Sequence, residues 1–123
     1  MKHRIKTQFG NVIAIQKELE GLDHTPFVSV NPKPAFHIVE KESVKKTFKY
    51  RFHQRIDCKT FEQAVELAEK IAAEIIDENE KYIKSYLDKF TAEQQAKGYK
   101  TGWIFYQMKD YFGYEIAQQF CAK

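Results

Sequence analysis

The residues best suited to chemistry are cations that alternate with aromatic side chains between residues 47 and 57. The cations at every second position are Lys49, Arg51, His53 and Arg55. Successive side chains of a β-strand point to opposite faces, so these four would share one face. The residues on the other face would be Phe48, Tyr50, Phe52 and Ile56. The pattern predicts a strand over Thr47 to Asp57 with a buried aromatic face and an exposed basic face.

This basic face has two interpretations. It could contact the phosphates of DNA or RNA, and Lys45 and Lys46 would extend such a surface. It could also be a solvated strand that its charges keep soluble. Residues 1–59 hold 12 Lys and Arg against 6 Asp and Glu, a net +6, so only this half could attract a polyanion. The predicted nucleic-acid-binding residues are Lys45, Lys46, Lys49, Arg51, His53 and Arg55.

Signs of catalysis are few. The four histidines are isolated and form no pair at metal-ligand spacing. Cys58 has no sequence signature of a nucleophile, and the glycines match no phosphate-binding loop. We therefore expect a protein that is not an enzyme, with no metal and no cofactor.

A long helix is predicted after the basic strand. Thr60 and Gln63 form a capping box, and apolar residues recur with helical period from Phe61 to Phe90. The polar run Asp77 to Glu80 predicts a bend or break. The carboxylates Glu66, Glu69 and Glu74 are either a solvated face or a surface that binds a partner protein.

The N-terminal segment fits two structures. Val12, Ile15 and Leu19 fall at helical spacing between Asn11 and Gly21, which favours a helix over residues 11–20. The alternative is a hairpin that turns at Gly10-Asn11. Two strands should follow, over Phe27 to Val30 and Ala35 to Glu40, and the second should form a hairpin with the basic strand. The prolines at positions 32 and 34 should end the first strand.

The C-terminal region predicts a helical pair. The helix from Trp103 to Phe112 is apolar on nearly every side, and a last short helix spans Tyr114 to Cys121. The aromatic helix is either central to the core or covered by a partner. Its candidate partner-binding residues are Trp103, Tyr106 and Tyr111.

Two segments resemble known families. The basic hairpin and the helix that begins Thr-Phe-Glu-Gln-Ala-Val-Glu-Leu-Ala, within residues 27–76, resemble the arm domains of phage-type integrases. That resemblance implies that the exposed sheet face enters the major groove of DNA, although the helix here is longer and more acidic. Residues 96–113, with Gly102-Trp103 and Phe112-Gly113, are similar to an element near the ends of some bacterial helicase-type proteins. No helicase motor motif is present, so this resemblance implies only an association with DNA-processing proteins and no ATPase activity.

The chain of 123 residues is expected to form a single α+β domain, with an antiparallel sheet of about three strands packed by the long helix and the C-terminal helical pair. No apolar run could span a bilayer, and two distant cysteines suit a reducing cytoplasm. The predicted function is a non-catalytic bacterial or phage module that binds nucleic acid. The alternative is a protein-binding module, such as a phage-encoded inhibitor of a host defence or DNA-processing complex. The sequence indicates no oligomeric state.

Overall fold

The computed structural model describes residues 1–19, 21–35, 48–100 and 102–121. It confirms an α+β fold, with a four-stranded antiparallel sheet where about three strands were expected. The described residues form two compact units, one of residues 1–34 and 48–79 and the other of residues 35 and 80–121. The single domain expected from the chain length stays a prediction. Within the described ranges, no helix is both long and apolar enough to cross a membrane.

The N-terminal segment is a hairpin, so the predicted helix over residues 11–20 is wrong. Strand β1 (Lys2–Thr7) pairs with β2 (Gly10–Ile15), which places the turn at residues 8 and 9. Gly10 has a φ of +133°, and a Cβ atom there would lie 2.5 Å from the carbonyl oxygen of Asn31 on a neighbouring strand. This close approach favours the sheet, because only glycine fits the position. A second small hairpin follows, formed by β3 (Glu18–Leu19) and β4 (Leu22–Asp23).

Strand β5 (Phe27–Pro32) confirms the predicted strand at Phe27 to Val30, and the sheet has the order β1-β2-β5-β6. Pairing continues to Pro32, which lies opposite Gly10, so the prolines end the strand two residues later than expected. Ala35 is not in a strand, and the rest of the predicted second strand lies outside the described residues, as does its hairpin.

The basic strand is shorter than predicted. Within residues 48–57, which the structure describes, the strand is limited to β6 (Gln54–Asp57), and it pairs with β5. Phe48 and Tyr50 are buried as expected, but Phe52 is 59% exposed, so its predicted burial is wrong. Residues 49 and 50 are held by a helix instead of a neighbouring strand: the Lys49 N–H donates to the Glu78 carboxylate at 2.7 Å. This attachment interrupts the period of two.

Helix α1 (Phe61–Lys97) confirms the predicted long helix. The Thr60 hydroxyl accepts a hydrogen bond from the Gln63 N–H at 3.1 Å, while the Gln63 side chain accepts one from Lys59 instead of Thr60. Of the bend or break predicted at 77–80, the break is wrong, since helical structure is continuous there and the buried Asn79 amide donates to the Ile75 carbonyl at 2.8 Å. The bend stays a prediction. The residues buried in the unit of residues 1–34 and 48–79 include, on the sheet, Val12, Ala14, Val28 and Val30 and, on the helix, Ala64, Ala68, Ile71, Ala72 and Ile75. These two apolar faces form the core of that unit.

The other unit is a helical cluster and confirms the C-terminal helical pair. Helix α2 (Trp103–Phe112) and helix α3 (Tyr114–Cys121) meet at Gly113, whose φ of +95° and N–H bond to the Lys109 carbonyl allow the sharp turn. Aromatic rings join α2 to the last turns of α1: Tyr111 lies 5.3 Å from Tyr86 and 5.1 Å from Phe90. These edge and tilted contacts are typical of an aromatic core.

Candidate nucleic-acid interface

The face of the sheet that points away from α1 is the strongest candidate site. Strand registers place its residues in three rows that cross the strands. The middle row is Arg4, Ile13, Ser29 and Arg55. The first row is Lys2, Ile15, Phe27 and Asp57, and the third row is Lys6, Asn11 and Asn31, with His53 just before β6. We call these twelve residues the outer sheet face.

Three cations lie along one edge of the outer sheet face. Lys2, Arg4 and Lys6 alternate along β1 and are all exposed. Their spacing is about 6.6 Å, since each residue of a strand advances by about 3.3 Å. Among the described residues, none of the three has an ion-pair partner within 4.0 Å. Sequence reasoning missed them, although the alternation of Lys2, Arg4 and Lys6 was a signal of the same kind as the one recognised at residues 49–55.

The opposite edge carries a cation held in a defined place. The Arg55 guanidinium carbon lies 3.9 Å from the centre of the Phe27 ring, and the Arg55 Nε donates to the Asp57 carboxylate at 3.0 Å. The Arg55 side chain nevertheless remains 55% exposed. One side of the guanidinium group therefore covers Phe27, while the group stays accessible to a ligand.

Polar groups adjoin this cation. The His53 Nε2 lies 3.3 Å from the Ser29 hydroxyl, and the Asn31 amide donates to the same hydroxyl at 3.3 Å. These side chains are wholly or partly exposed. They supply hydrogen-bond donors and acceptors beside Arg55, which suits recognition of a polar ligand.

Two other predicted basic residues, Lys49 and Arg51, lie away from the outer sheet face. The Lys49 ammonium binds the Glu74 carboxylate at 3.1 Å, so Lys49 belongs to a contact with α1. Arg51 is half-buried, with its guanidinium carbon 5.6 Å from the centre of the Phe52 ring. Lys45 and Lys46 lie outside the described residues. The predicted row of four cations is therefore wrong, and only His53 and Arg55 belong to the outer sheet face.

Of the three glutamates predicted to bind a partner protein, two contact other residues of this chain. Glu74 accepts hydrogen bonds from Lys49 and from the Tyr50 hydroxyl, which lies 2.7 Å away. The hydrogen bond from Tyr50, followed by that from Lys49, lowers the pKa of Glu74 although burial opposes the shift. Glu69 lies 3.5 Å from the His3 imidazole, and Glu66 is exposed. Glu74 therefore stabilises the fold and is a poor candidate for a partner surface.

The aromatic residues predicted to bind a partner are also partly used within the fold and partly exposed. Trp103 and Tyr111 are half-buried, and both rings contact Phe90 of α1. Tyr106 is 63% exposed, and Tyr114, which the sequence reasoning did not single out, is 55% exposed. Both rings lie about 6 Å from Phe105, at 6.1 and 5.8 Å. Tyr106 and Tyr114, on either side of Phe105, form a small exposed aromatic patch.

Groups suited to catalysis are sparse in the described ranges. No cluster of three or more His, Cys, Asp or Glu residues able to hold a metal is found there. Cys58 lies in an open groove between β6 and α1, and partial burial together with the nearby Asp57 charge raises the pKa of its thiol. Such a thiol stays protonated at neutral pH and is a weak nucleophile.

Comparisons with protein-family models, with curated proteins and with solved structures find no significant match to this chain. The resemblances to integrase arm domains and to helicase-type C-terminal elements therefore stay hypotheses.

Proposed function

We propose that this protein is a non-catalytic module that binds DNA or RNA through the outer sheet face. The observation that carries the proposal is the row of Lys2, Arg4 and Lys6, which are exposed, evenly spaced and without ion-pair partners in the described ranges. Cations so arranged are available to phosphates without first breaking an ion pair to another described residue. Arg55 adds a fourth positive charge at the other edge, partly offset by Asp57.

The test is charge neutralisation along β1. The variant Lys2→Gln, Arg4→Gln, Lys6→Gln should lose salt-sensitive binding to a labelled oligonucleotide, measured by fluorescence anisotropy over a salt series. Each lost phosphate contact should reduce the slope of log affinity against log salt by about 0.7 to 0.9. Thermal stability should stay nearly unchanged, because these side chains are exposed.

The matched control removes three positive charges elsewhere. Lys84, Lys100 and Lys109 are also exposed, and the variant Lys84→Gln, Lys100→Gln, Lys109→Gln should keep the parent salt slope. If both triple variants weaken binding equally, attraction is set by net charge and the outer sheet face is not the site. A parent protein that binds neither DNA nor RNA in low salt would refute the proposal.

A second candidate function is binding of a protein partner, such as a host complex inhibited by a phage protein. The observation that favours it is the aromatic patch of Tyr106 and Tyr114, since exposed tyrosines are enriched at protein interfaces. Capture experiments from a bacterial lysate, with and without nuclease, distinguish the candidates. A protein partner retained after nuclease treatment, and lost with Tyr106→Ala and Tyr114→Ala, would favour this second function.

A further inference from the structure

The three rows of the outer sheet face give the nucleic-acid ligand a definite form. Each row begins with one cation on β1, and rows are about 6.6 Å apart because alternate residues of a strand share a face. Each row then continues across β2 and β5 toward β6. The distance from β1 to β5 is about 10 Å, since neighbouring strands lie about 4.8 Å apart. A nucleotide whose phosphate lies at β1 could therefore lay its base over β2 and β5.

The width of the face disfavours a duplex. Its four strands measure about 14 Å from β1 to β6, whereas the major groove of B-DNA is about 12 Å wide and admits a two-stranded ribbon. A duplex could meet this face only through its phosphate backbones. The interior of the face, with Ile13, Ile15 and the Phe27–Arg55 pair, would then have no partner.

The interior of the face suits unpaired bases. Arg55 is held over Phe27 by the cation–π contact and by Asp57, and its side chain remains exposed. A planar guanidinium fixed in this way is a surface on which a base can stack. The neighbouring His53, Ser29 and Asn31 offer hydrogen bonds to the edges of a base.

We infer that the ligand is a single strand of nucleic acid, with about three phosphates along Lys2, Arg4 and Lys6 and a base stacked on Arg55. This inference rests on the proposed function. Three phosphate contacts correspond to a salt slope of about 2 for a single strand. A single strand should bind at least about tenfold more tightly than its duplex, which is the range expected for one stacked base.

The experiment compares one labelled mixed-sequence oligonucleotide, as DNA and as RNA, alone and annealed to its complement. In the protein, Arg55→Lys keeps the charge but removes the planar group, so it should weaken single-strand binding about tenfold. The control Arg51→Lys makes the same substitution at an arginine outside the outer sheet face and should leave affinity unchanged. In the ligand, an abasic site keeps the phosphate and removes one base. One abasic position in a trinucleotide footprint should reproduce the loss without any change to the protein.

The possible failures are distinguishable. Salt-sensitive binding that is equal or tighter for the duplex, and is lost in the Lys2, Arg4, Lys6 variant, would leave the proposed function standing and overturn the single-strand inference. That result would agree with the integrase-type resemblance. Abasic oligonucleotides that bind as tightly as the parent would also overturn the inference, because only phosphates would then be contacted. Absence of salt-sensitive binding to every form would refute the proposed function itself.

Discussion

Lys49 and Tyr50 both donate to one carboxylate oxygen of Glu74, at 3.1 and 2.7 Å. Tyr50 is nearly buried, so its hydroxyl depends on this bond to offset the loss of water. The contact joins residues 24 and 25 positions apart along the chain. Lys49, which the sequence pattern predicted to contact phosphate, therefore stabilises the fold instead.

The Tyr50–Glu74 contact predicts a loss of stability when the hydroxyl is removed. Tyr50→Phe should lower the free energy of unfolding by about 1–2 kcal/mol, since a hydrogen bond to a charged group is removed and the carboxylate loses a donor. Chemical denaturation measures the change. Tyr106→Phe is the control, because the Tyr106 ring is largely exposed, and it should have almost no effect. Equal effects of both variants would contradict the structural role of Tyr50.

The same contact predicts a pH dependence. The hydrogen bonds from Tyr50 and Lys49 lower the pKa of Glu74 below its ordinary value of 4.5. The unfolded state therefore binds a proton more readily, and the stabilisation is fully present above about pH 4.5 and is lost as the pH falls through the folded-state pKa. In Glu74→Gln this part of the acid dependence should disappear, whereas the exposed Glu66→Gln should keep it. Denaturation curves across the acid range would test the sign.

At the scale of elements, the first hairpin and β5 meet at Gly10. The left-handed backbone and the 2.5 Å distance from a Cβ position to the Asn31 carbonyl oxygen both require glycine there. The same hairpin presents Lys2, Arg4 and Lys6 on the outer sheet face. The position of the candidate cations therefore depends on one glycine at the turn of the same hairpin, where Gly10 pairs with Thr7 next to Lys6.

Gly10→Ala should destabilise the protein by more than the roughly 1–3 kcal/mol of a strained backbone alone. The matched control is Gly21→Ala: its φ is also positive, at +77°, but no atom lies within 4 Å of its Cβ position. The difference between the two variants in thermal or chemical unfolding isolates the close approach to β5. A Gly10 variant no less stable than the Gly21 variant would show that β5 can move away without cost.

At the scale of the whole molecule, the two candidate surfaces belong to different compact units. The cations of β1 lie in the unit of residues 1–34 and 48–79, and the aromatic patch lies in the unit of residues 35 and 80–121. A polyanion and a protein partner would therefore use separate regions of the chain.

This separation predicts independent effects. Tyr106→Ala with Tyr114→Ala should leave oligonucleotide affinity unchanged, and the Lys2, Arg4, Lys6 variant should leave any protein association unchanged. Anisotropy measures the first, and capture of a protein partner from a nuclease-treated bacterial lysate measures the second. When the tyrosine and β1 substitutions are combined in one protein, their changes in the free energy of oligonucleotide binding should add. Loss of nucleic-acid binding in the tyrosine variant would contradict separate surfaces.

The sequence by itself determined the elements whose signals are local. Thr60 and Gln63 mark the start of α1, and a period of 3.6 continues beyond them, because capping and helical burial involve residues only three or four positions apart. The strand at Phe27 to Val30 and the helices on either side of Gly113 were also predictable, because their signals lie in neighbouring residues. Residues 11–20 were not, because Val12, Ile15 and Leu19 fit both a helix and a hairpin in the linear sequence.

Tertiary contacts decided what local patterns left open. The close approach of Gly10 to Asn31 favours the hairpin. Hydrogen bonds to the carboxylates of Glu74 and Glu78 hold Lys49 and Tyr50 against α1, so these two residues are not part of the predicted strand. The candidate site therefore differs from the predicted one. Lys49 forms an ion pair with Glu74 of α1. Strand pairing places Lys2, Arg4 and Lys6 on the same face of the sheet as Arg55. Apart from the β1–β2 hairpin, these contacts join residues 12 to 30 positions apart. Their energies depend on the folded arrangement, so no local periodicity encodes them.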